Sequence, residues 1–431
     1  MLENLILFPL LSDNLHESSE SFDIFDAGPM NRIMKRLLWL LVVNFGWIVP
    51  SISQNRMVLT GIRGTIIAHQ PASTHQYIGS PSIAILPNGD YVASHDLFGP
   101  TSSEFVQAMT HVYRSSDNGK TWRRVSEIRG AFWSSLFVNR GALYLLGPDR
   151  HHGTVLIRRS DDGGDTWTHP TGTEDGLLLK GMFHCAPMPV IEHNGRLWRG
   201  METAHGPILE WGKRYGAMMM SAPVDANLLK ASSWTTSNSL PYDSTYLNGN
   251  FTGWLEGNAV VTPDGGIVDI LRVDDRTTHE EKAAMVRISA DGKVASFDPA
   301  TGFVPFPGGS KKFAIRFDDK SGRYWTLSNS IPDVFRKQYP KRNAASFRNT
   351  LALMSSDDLL NWQIHELVLQ HPDVINHGFQ YVDWLIEGED MIVVSRTAYD
   401  DGKEAANNNH DANFLTFHRI EGFREKVQQT L

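Results

Sequence analysis

The stretch SSDNGKTW, Ser115 to Trp122, returns as SDDGGDTW at Ser160 to Trp167, and both copies fit the pattern S-x-D-x-G-x-T-W. Aspartate suits a tight turn because its carboxylate accepts hydrogen bonds from backbone N–H groups nearby, and glycine adopts positive φ without strain. The tryptophan then begins the next strand and is expected to pack against the turn. SSDDLLNW (Ser355 to Trp362) keeps Ser, Asp and Trp at the same spacing, and SADGKVASF (Ser289 to Phe297) is a weaker echo.

The repeat resembles the Asp-box of sialidase-like β-propellers, where it caps the outer hairpin of a blade. Strand-like runs precede the copies, and Asn88-Gly89 and Asp264-Gly265 are favourable hairpin turns. The resemblance implies an all-β fold, a single seven-bladed propeller with six blades as the alternative. A mature chain of 431 − 54 = 377 residues gives about 54 per blade for seven blades or about 63 for six. Phe414 to Ile420 is expected to pair with the first strand and close the ring.

The N-terminus divides into two segments. Residues 30 to 54 predict a signal peptide, with basic residues ahead of an apolar run from Leu37 to Val49 and a cut after Ser53. Residues 1 to 29 carry acidic residues and no basic one, so we interpret them as an upstream artefact of gene prediction. Residues 55 to 431 are then the catalytic propeller, exported to the periplasm or the cell exterior. A non-cleaved anchor is the alternative.

Composition and charge narrow the range of partners. The net charge is −8, and the basic residues are scattered, which argues against nucleic-acid binding. Twelve Trp, 11 Tyr and 17 His suit a carbohydrate site, although aromatic residues also fill protein cores. Cys185 is the only cysteine, so no intramolecular disulfide can form. We expect an acidic oligosaccharide or polysaccharide substrate, while the oligomeric state stays open.

Polar side chains recur beside the strand-like runs, where the inner strands of a propeller converge on its axis. Together they predict a site for an acidic sugar, although each one alone also fits a structural hydrogen bond. The candidates for substrate binding are Arg150, His151, His184, Arg199, Glu202, His205, Asn250, Arg348, His377 and Arg396. The same or neighbouring segments hold Asp96, His152, Asn248, Glu256, Arg272, Asn329, His410 and Asp411.

The segment HQPASTHQYIGSPSIAILPNGDYVASHDLFGP, residues 69 to 100, resembles a family of exported seven-bladed propellers, glycoside hydrolase family 145 and the related polysaccharide lyase family 42. RLWRGME and NHDANFLTFHRI, later in the chain, are similar to that family as well. The resemblance implies cleavage of the L-rhamnose-α-1,4-D-glucuronic acid linkage of plant arabinogalactan. It also implies a key catalytic histidine, which matches His75 between PAST and YIGSPS, and a second, which matches His95.

Histidine suits such a reaction because its pKa lies near neutrality. In β-elimination a base removes the C5 proton of the uronate, and an acid protonates the departing O4. His75 would act as both base and acid, while His95 assists, and an arginine fork binds the carboxylate. The arginines that compete for that contact are Arg150, Arg199 and Arg348. Hydrolysis as an α-L-rhamnosidase is the other chemistry, but no spacing pairs two carboxylates for it.

Two further functions stay open. A propeller that has lost catalysis would be a glycan-binding module. An exo-α-sialidase would need an arginine triad and a Tyr/Glu nucleophile pair, and the early F-R-I-P motif of those enzymes is absent from the sequence. We expect no required cofactor, and a structural calcium on the propeller axis is compatible with oxygen ligands that the sequence does not reveal.

Overall fold

The computed structural model describes residues 61 to 428, so the predicted signal peptide and the upstream segment lie outside the described residues. Within that range strands dominate, and the α-helical content is one short element, α1 (Asp333–Gln338). Short 3-10 helices occur at Ala72–Thr74, Ala231–Ser233, Tyr246–Gly249, Ala344–Ser346 and Phe423–Gln428. Among these residues, no helix reaches the length and apolar character that a membrane crossing requires.

The strands form five hydrogen-bonded antiparallel sheets. The first holds β2 (Tyr77–Ile78), β3 (Ser82–Ile85), β4 (Tyr91–Phe98), β5 (Met109–Ser115) and β6 (Arg123–Arg129). The second holds β7 (Ser135–Asn139), β8 (Ala142–Pro148), β9 (Gly153–Ser160), β10 (Leu177–His184), β11 (Ile191–His193), β12 (Arg196–Thr203), β13 (Gly216–Pro223) and β14 (Thr235–Thr236). The third holds β15 (Leu255–Val261), β16 (Ile267–Arg272), β17 (Lys282–Ile288), β18 (Ala295–Ser296) and β19 (Phe303–Pro305). The fourth holds β20 (Ala314–Asp318), β21 (Arg323–Ser328), β22 (Thr350–Ser356) and β23 (Gln363–Gln370), and the fifth β24 (Gly378–Glu387), β25 (Asp390–Ala398), β26 (Phe414–Ile420) and β1 (Thr65–His69).

Consecutive pairing divides these sheets into four-stranded antiparallel units, the arrangement of a β-propeller. The eight-stranded sheet holds two such units, β7 to β10 and β11 to β14, joined where the ends of β10 and β12 pair. The grouping fits the six-bladed alternative, and the expectation of seven blades is not confirmed. Part of the chain lies outside the strands in long connections, such as 329 to 349 and 399 to 413.

The predicted closure by the last strand is confirmed. β1 pairs antiparallel with β26, placing Thr65 opposite Phe417 and His69 opposite Phe414. Apolar clusters then fill the space between neighbouring units; in one, Ile67 packs with residues of the first and fifth sheets. Each fully buried aliphatic or aromatic side chain contributes about 1.5–3 kcal/mol. The series of clusters runs from unit to unit and returns to its start, so the core is a ring.

Both complete Asp-boxes form the predicted turn between the third and fourth strands of a unit. Asp117 accepts hydrogen bonds from the Thr121 backbone N–H at 2.9 Å and from its hydroxyl at 2.6 Å. The Trp122 indole N–H donates to the Gly119 carbonyl at 3.1 Å. In the second box Thr166 donates the same two bonds to Asp162, and the Trp167 indole N–H donates to the Gly164 carbonyl.

The third copy has a different register from the one that equal spacing predicts. Ser356 donates to Asp358 at 3.0 Å, and Asp358 accepts the Asn361 backbone N–H at 2.8 Å. Leu359 takes the glycine position with a φ of 67°. Alignment on Ser355 was therefore wrong, because this turn is one residue shorter than the complete boxes.

Antiparallel strands alternate in direction, so connections from second to third strands lie at the opposite end of the units from the Asp-boxes. We call this end the site end. Its connections are residues 99 to 108, 149 to 152, 204 to 215, 273 to 281, 329 to 349 and 399 to 413.

Candidate functional site

Three arginines, from β16, from the connection 329 to 349 and from β25, meet around the ring of Tyr381 at the site end. The guanidinium carbon of Arg396 lies 4.9 Å from the Tyr381 ring centroid, and that of Arg348 lies 5.5 Å from it. Nη1 of Arg272 lies 3.4 Å from the Tyr381 hydroxyl. All four side chains are buried. Three positive charges this close repel one another, so the arrangement favours an anionic ligand.

Tyr381 and Glu256 both have left-handed backbones, with φ of 50° and 57°. The pairing of β24 with β25 shifts between Gln380 and Asp383, and that of β15 with β16 shifts between Leu255 and Asn258. A bulge of this kind re-aims a side chain relative to the regular pleat. Strained backbone at two non-glycine positions is a mark of functional sites, where surrounding structure maintains it.

Glu256 is the carboxylate partner of the cluster. Its two oxygens lie 3.3 and 3.2 Å from Nη1 of Arg272, the atom that also faces the Tyr381 hydroxyl. Burial opposes the charge on Arg272, but Glu256, Tyr381 and Asp274 together outweigh burial and raise the Arg272 pKa. A tyrosine hydroxyl and a carboxylate thus share one guanidinium nitrogen, and the pair lies beside two further positive charges.

Hydrogen bonds hold Arg348 and Arg396 in place. Arg348 donates to Gln380 Oε1 at 2.6 Å, and Gln380 in turn donates to the Asn409 carbonyl at 2.6 Å. Arg396 donates to the His410 carbonyl at 2.6 Å and lies over Phe98, 4.3 Å from its ring centroid. Burial lowers the pKa of Arg396 to about 10, which leaves it charged at neutral pH. Both guanidinium groups are therefore preorganised.

A half-buried carboxyl group, Glu104, interacts electrostatically with Arg396 of this cluster. Burial raises the pKa of Glu104 above its usual range, although the Gly99 backbone and the charges around it, Arg396 among them, also act on it. Glu104 belongs to the connection 99 to 108, which follows Phe98 directly. A carboxyl with a raised pKa stays protonated nearer neutrality, as a general acid requires.

Predicted residues form a second cluster next to the first. His184 Nδ1 lies 2.9 Å from Glu202 Oε2, and its ring stacks on Tyr215 at 4.1 Å. Burial raises the pKa of Glu202 and lowers that of His184, so both favour their neutral forms. The ring centroids of His151 and His152 lie 4.0 Å apart, with the rings tilted by 52°, and burial lowers the pKa of both. Imidazoles of this cluster are therefore neutral hydrogen-bonding groups.

Two further predicted residues, His95 and Arg199, are buried and hydrogen-bonded within the fold. His95 is 1% exposed, with Nδ1 bonded to the Asp96 carbonyl and Nε2 to the Tyr113 hydroxyl. Burial lowers its pKa to about 3. Arg199 is fully buried and donates to the carbonyls of Gly200 and Ala186. Both side chains thus have hydrogen-bond partners within the fold, and their contact with substrate stays a prediction.

Four predicted residues lie away from the arginine cluster or on its exposed periphery. His75 is exposed, with a φ of 53°, in the connection between β1 and β2. Arg150 pairs with Asp149 at 3.1 Å, and His205 is exposed. Asn250 is half-buried in the connection before β15. Their part in a site stays a prediction.

His377 directly precedes β24 of the fifth sheet and belongs to a separate group of side chains. Its ring stacks on His371 at 3.6 Å, and its Nδ1 lies 3.2 Å from Asp373. Of the predicted binding residues, Arg348 and Arg396 thus belong to the arginine cluster, and His151, His184 and Glu202 to the neighbouring one.

Sequence reasoning missed Tyr381 and Glu104, and it left Glu256 and Arg272 outside the selected site. For the last two a signal existed: the Asp264-Gly265 turn sets a hairpin whose register places Arg272 opposite Leu255, beside Glu256. No comparable signal existed for Tyr381, because a bulge aims its side chain. Among residues 61 to 428, no group of three or more His, Cys, Asp or Glu side chains is arranged to hold a metal ion.

Comparison with solved structures finds a similar fold in two sialidases and an arabinanase. A Hadza microbial sialidase superimposes with a TM-score of 0.55 at 13% identity, covering 83% of this chain and 68% of that one. A Trypanosoma rangeli sialidase with 2,3-difluorosialic acid gives 0.52 at 15%, covering 82% of this chain and 55% of that one. A Penicillium chrysogenum α-L-arabinanase gives 0.51 at 15%, covering 86% and 99%. Identities this low establish the fold alone. No family model and no curated protein matches the sequence.

Proposed function

We propose that this chain is an exported glycosidase that removes a terminal sugar bearing a carboxylate, using Tyr381 as nucleophile in the manner of a sialidase. The carrying observation is the convergence of Arg272, Arg348 and Arg396 on Tyr381, with Glu256 on the same guanidinium nitrogen. The substrate is an acidic oligosaccharide or polysaccharide, and nucleic acid is not a partner.

The three guanidinium groups bind the sugar carboxylate. Arginine presents its donors in a planar fork that matches the two oxygens of a carboxylate. Buried guanidinium groups without an anion nearby are costly, so a carboxylate that enters compensates their charge. Arg396, on β25, supplies the third positive charge. The proposed site therefore has three arginines although the sequence lacks the early F-R-I-P motif.

A neutral nucleophile suits a sugar whose carboxylate is next to the reacting carbon. An aspartate or glutamate would repel that carboxylate, whereas a tyrosine hydroxyl does not. Oη of Tyr381 attacks the anomeric carbon while its proton passes to Glu256, and the glycosidic C–O bond breaks as the leaving oxygen takes a proton from Glu104. Water then attacks the glycosyl–tyrosine, losing its proton to Glu104, and Glu256 returns a proton to Oη. Glycosidases with a tyrosine nucleophile are a known exception to the two-carboxylate rule.

The test supplies the protein with an α-linked sialoside and with a rhamnose-capped glucuronic-acid oligosaccharide, and measures each released sugar and ultraviolet absorbance. We expect release of the acidic sugar without a rise in absorbance. Arg396→Ala should raise KM by about 10–100-fold, since a hydrogen bond to a charged group contributes about 1.5–3 kcal/mol. Arg123→Ala, 60% exposed on β6, is the control and should leave KM unchanged. No acidic sugar released from either compound would contradict the proposal.

Cleavage of the rhamnose–glucuronate linkage with His75 is the second candidate. The favouring observation is the exposed His75 imidazole in a left-handed backbone conformation, in a connection that contacts Gly99 next to Phe98. The arginine cluster suits a uronate carboxylate equally well. Rhamnose with a rise in absorbance would indicate β-elimination, and rhamnose without it would indicate hydrolysis. Retained glycan binding with no product from any substrate would favour a binding module.

A further inference from the structure

Large apolar side chains are exposed on two connections at the site end. Phe105 and Val106, 59% and 82% exposed, belong to the connection 99 to 108 after β4. Leu209 and Trp211, 75% and 38% exposed, belong to the connection 204 to 215 after β12. Exposed apolar side chains grouped in this way mark binding sites more often than scattered ones do.

A chain of ring contacts links the two connections. Phe105 stacks on His151 at 4.8 Å, and His151 contacts His152 at 4.0 Å. His152 lies 5.6 Å from Tyr215, which lies 6.2 Å from Trp211. We call these five side chains the aromatic row. Only its two ends are exposed, because Tyr215 is buried and the histidines are half-buried.

Both ends of the aromatic row adjoin residues of the proposed active site. At one end Phe105 follows Glu104, whose carbonyl accepts the His151 backbone N–H at 2.8 Å. At the other end the Trp211 ring centroid lies 5.6 Å from the guanidinium carbon of Arg272. The row therefore runs beside the proposed acid and reaches the arginine that contacts Tyr381.

His151 supplies a second, independent observation. Both ring nitrogens are buried and have no hydrogen-bond partner among the described residues. A buried polar group without a partner is unfavourable, and such exceptions call for an explanation. Phe105, which stacks on the face of this ring, is more than half exposed. A ligand hydroxyl that reaches the edge of the His151 ring would satisfy one nitrogen.

We infer that the aromatic row binds the sugar of the leaving group, a neutral pyranose that stacks on Phe105 and Trp211 and gives a hydroxyl to His151. This inference rests on the proposed function. The leaving oxygen takes its proton from the acid, so the sugar attached to it must lie on the side of Glu104. Aromatic faces with a few polar groups are the usual lining of such sites.

The experiment compares two substrates of one acidic sugar, the methyl glycoside and the glycoside of a disaccharide. Phe105→Ala and Trp211→Ala are assayed beside wild type on both substrates. The control is Phe317→Ala, because Phe317 is 47% exposed and lies on β20, at the end of the units opposite the site end. We expect both variants to reduce kcat/KM for the disaccharide glycoside at least tenfold more than for the methyl glycoside. Phe317→Ala should leave both values within twofold of wild type.

The outcomes separate the two ideas. Equal losses on both substrates in an active wild type would overturn the aromatic row as a leaving-group site while leaving the proposed function intact. A wild type that cleaves neither substrate would overturn the proposed function, and this inference with it. His151→Phe adds a second readout, because it keeps the stacked ring but removes both nitrogens. It should reduce kcat/KM for the disaccharide glycoside and leave kcat/KM for the methyl glycoside unchanged.

Discussion

Tyr381 is the residue on which the proposed chemistry depends most directly. Tyr381→Phe keeps the ring against Arg348 and Arg396 but removes the hydroxyl near Arg272. Because the carboxylate contacts remain, we expect kcat to fall by about 10³-fold or more with little change in KM, as for other nucleophile removals. Steady-state kinetics on the substrate that wild type cleaves measure both constants.

Tyr324→Phe is the matched control, because it removes a buried hydroxyl that donates to the Val261 carbonyl at 2.8 Å, far along the sheets from the site end. It should reduce stability and leave kcat unchanged. A Tyr381→Phe variant with more than a tenth of wild-type kcat would exclude Tyr381 as the nucleophile.

Glu104 predicts a pH dependence with a defined sign. Burial raises its pKa, so the protonated acid is present below that pKa and is lost as the pH rises through it. Activity on a substrate with a poor leaving group should therefore decline on the alkaline side. Glu104→Gln should reduce that activity by about 10²–10⁴-fold, the usual contribution of a general acid.

A substrate with a good leaving group provides the discriminating comparison, because its departing oxygen needs no proton. Glu104→Gln should retain most of the first-step rate on such a substrate, measured by the initial burst of leaving group. Glu174→Gln, an exposed carboxylate paired with Lys230, should behave as wild type. Equal losses on both leaving groups would rule out Glu104 as the acid.

At the scale of single elements, the third Asp-box offers a clean test of register. Asp358 accepts hydrogen bonds from Ser356, Leu360 and Asn361, whereas the adjacent Asp357 forms an exposed pair with Arg323. Asp358→Asn should lower the midpoint of thermal unfolding by a few degrees, because several turn hydrogen bonds weaken together. Asp357→Asn should leave it almost unchanged, as exposed ion pairs contribute little. If Asp357→Asn lowered the midpoint more than Asp358→Asn, the register predicted from equal spacing would be correct.

How well a feature can be predicted from sequence depends on how far apart in the chain the residues that determine it lie. The turns at Asp117 and Asp162 are set by residues within one short segment, so the pattern alone predicts their hydrogen bonds. Arg348 and Arg396 were found because charged side chains stand out beside apolar strands. Tyr381 was missed because a break in strand pairing decides its direction. The burial of His95 was not visible in the sequence, because it depends on the pairing that places His95 opposite His111 and on its hydrogen bond to Tyr113.

At the scale of the whole molecule, closure of the ring was predictable and the number of units was not. A terminal strand without a partner exposes an edge, so its pairing with β1 follows from a general rule. The number of units depends on how residues divide between strands and loops, and connections such as 329 to 349 and 399 to 413 lie outside the strands. The connection 329 to 349 carries Arg348 and the connection 99 to 108 carries Glu104, so loop length contributes to function as well as to the count.

Closure makes a prediction about the stability of the entire ring. Gly64 precedes β1 with a φ of +91°, and an added Cβ would lie 2.5 Å from the Phe417 carbonyl of β26. Gly89, in the Asn88-Gly89 turn, has a φ of +87° and nothing within 4 Å of such a Cβ. Alanine at either position costs about 1–2 kcal/mol for left-handed backbone. Gly64→Ala should cost roughly 1–3 kcal/mol more, because it forces β1 away from β26.

Calorimetry and hydrogen exchange distinguish a closed ring from a loosely attached strand. If β1 closes the ring, Gly64→Ala should lower the midpoint of the main unfolding transition more than Gly89→Ala does, and amide exchange should accelerate in β26 and in the neighbouring β25. Faster exchange should appear in both the first and the last strand, because β1 and β26 belong to one sheet. Equal midpoints for the two variants, with faster exchange confined to β1, would mean that the remaining strands hold the ring without it.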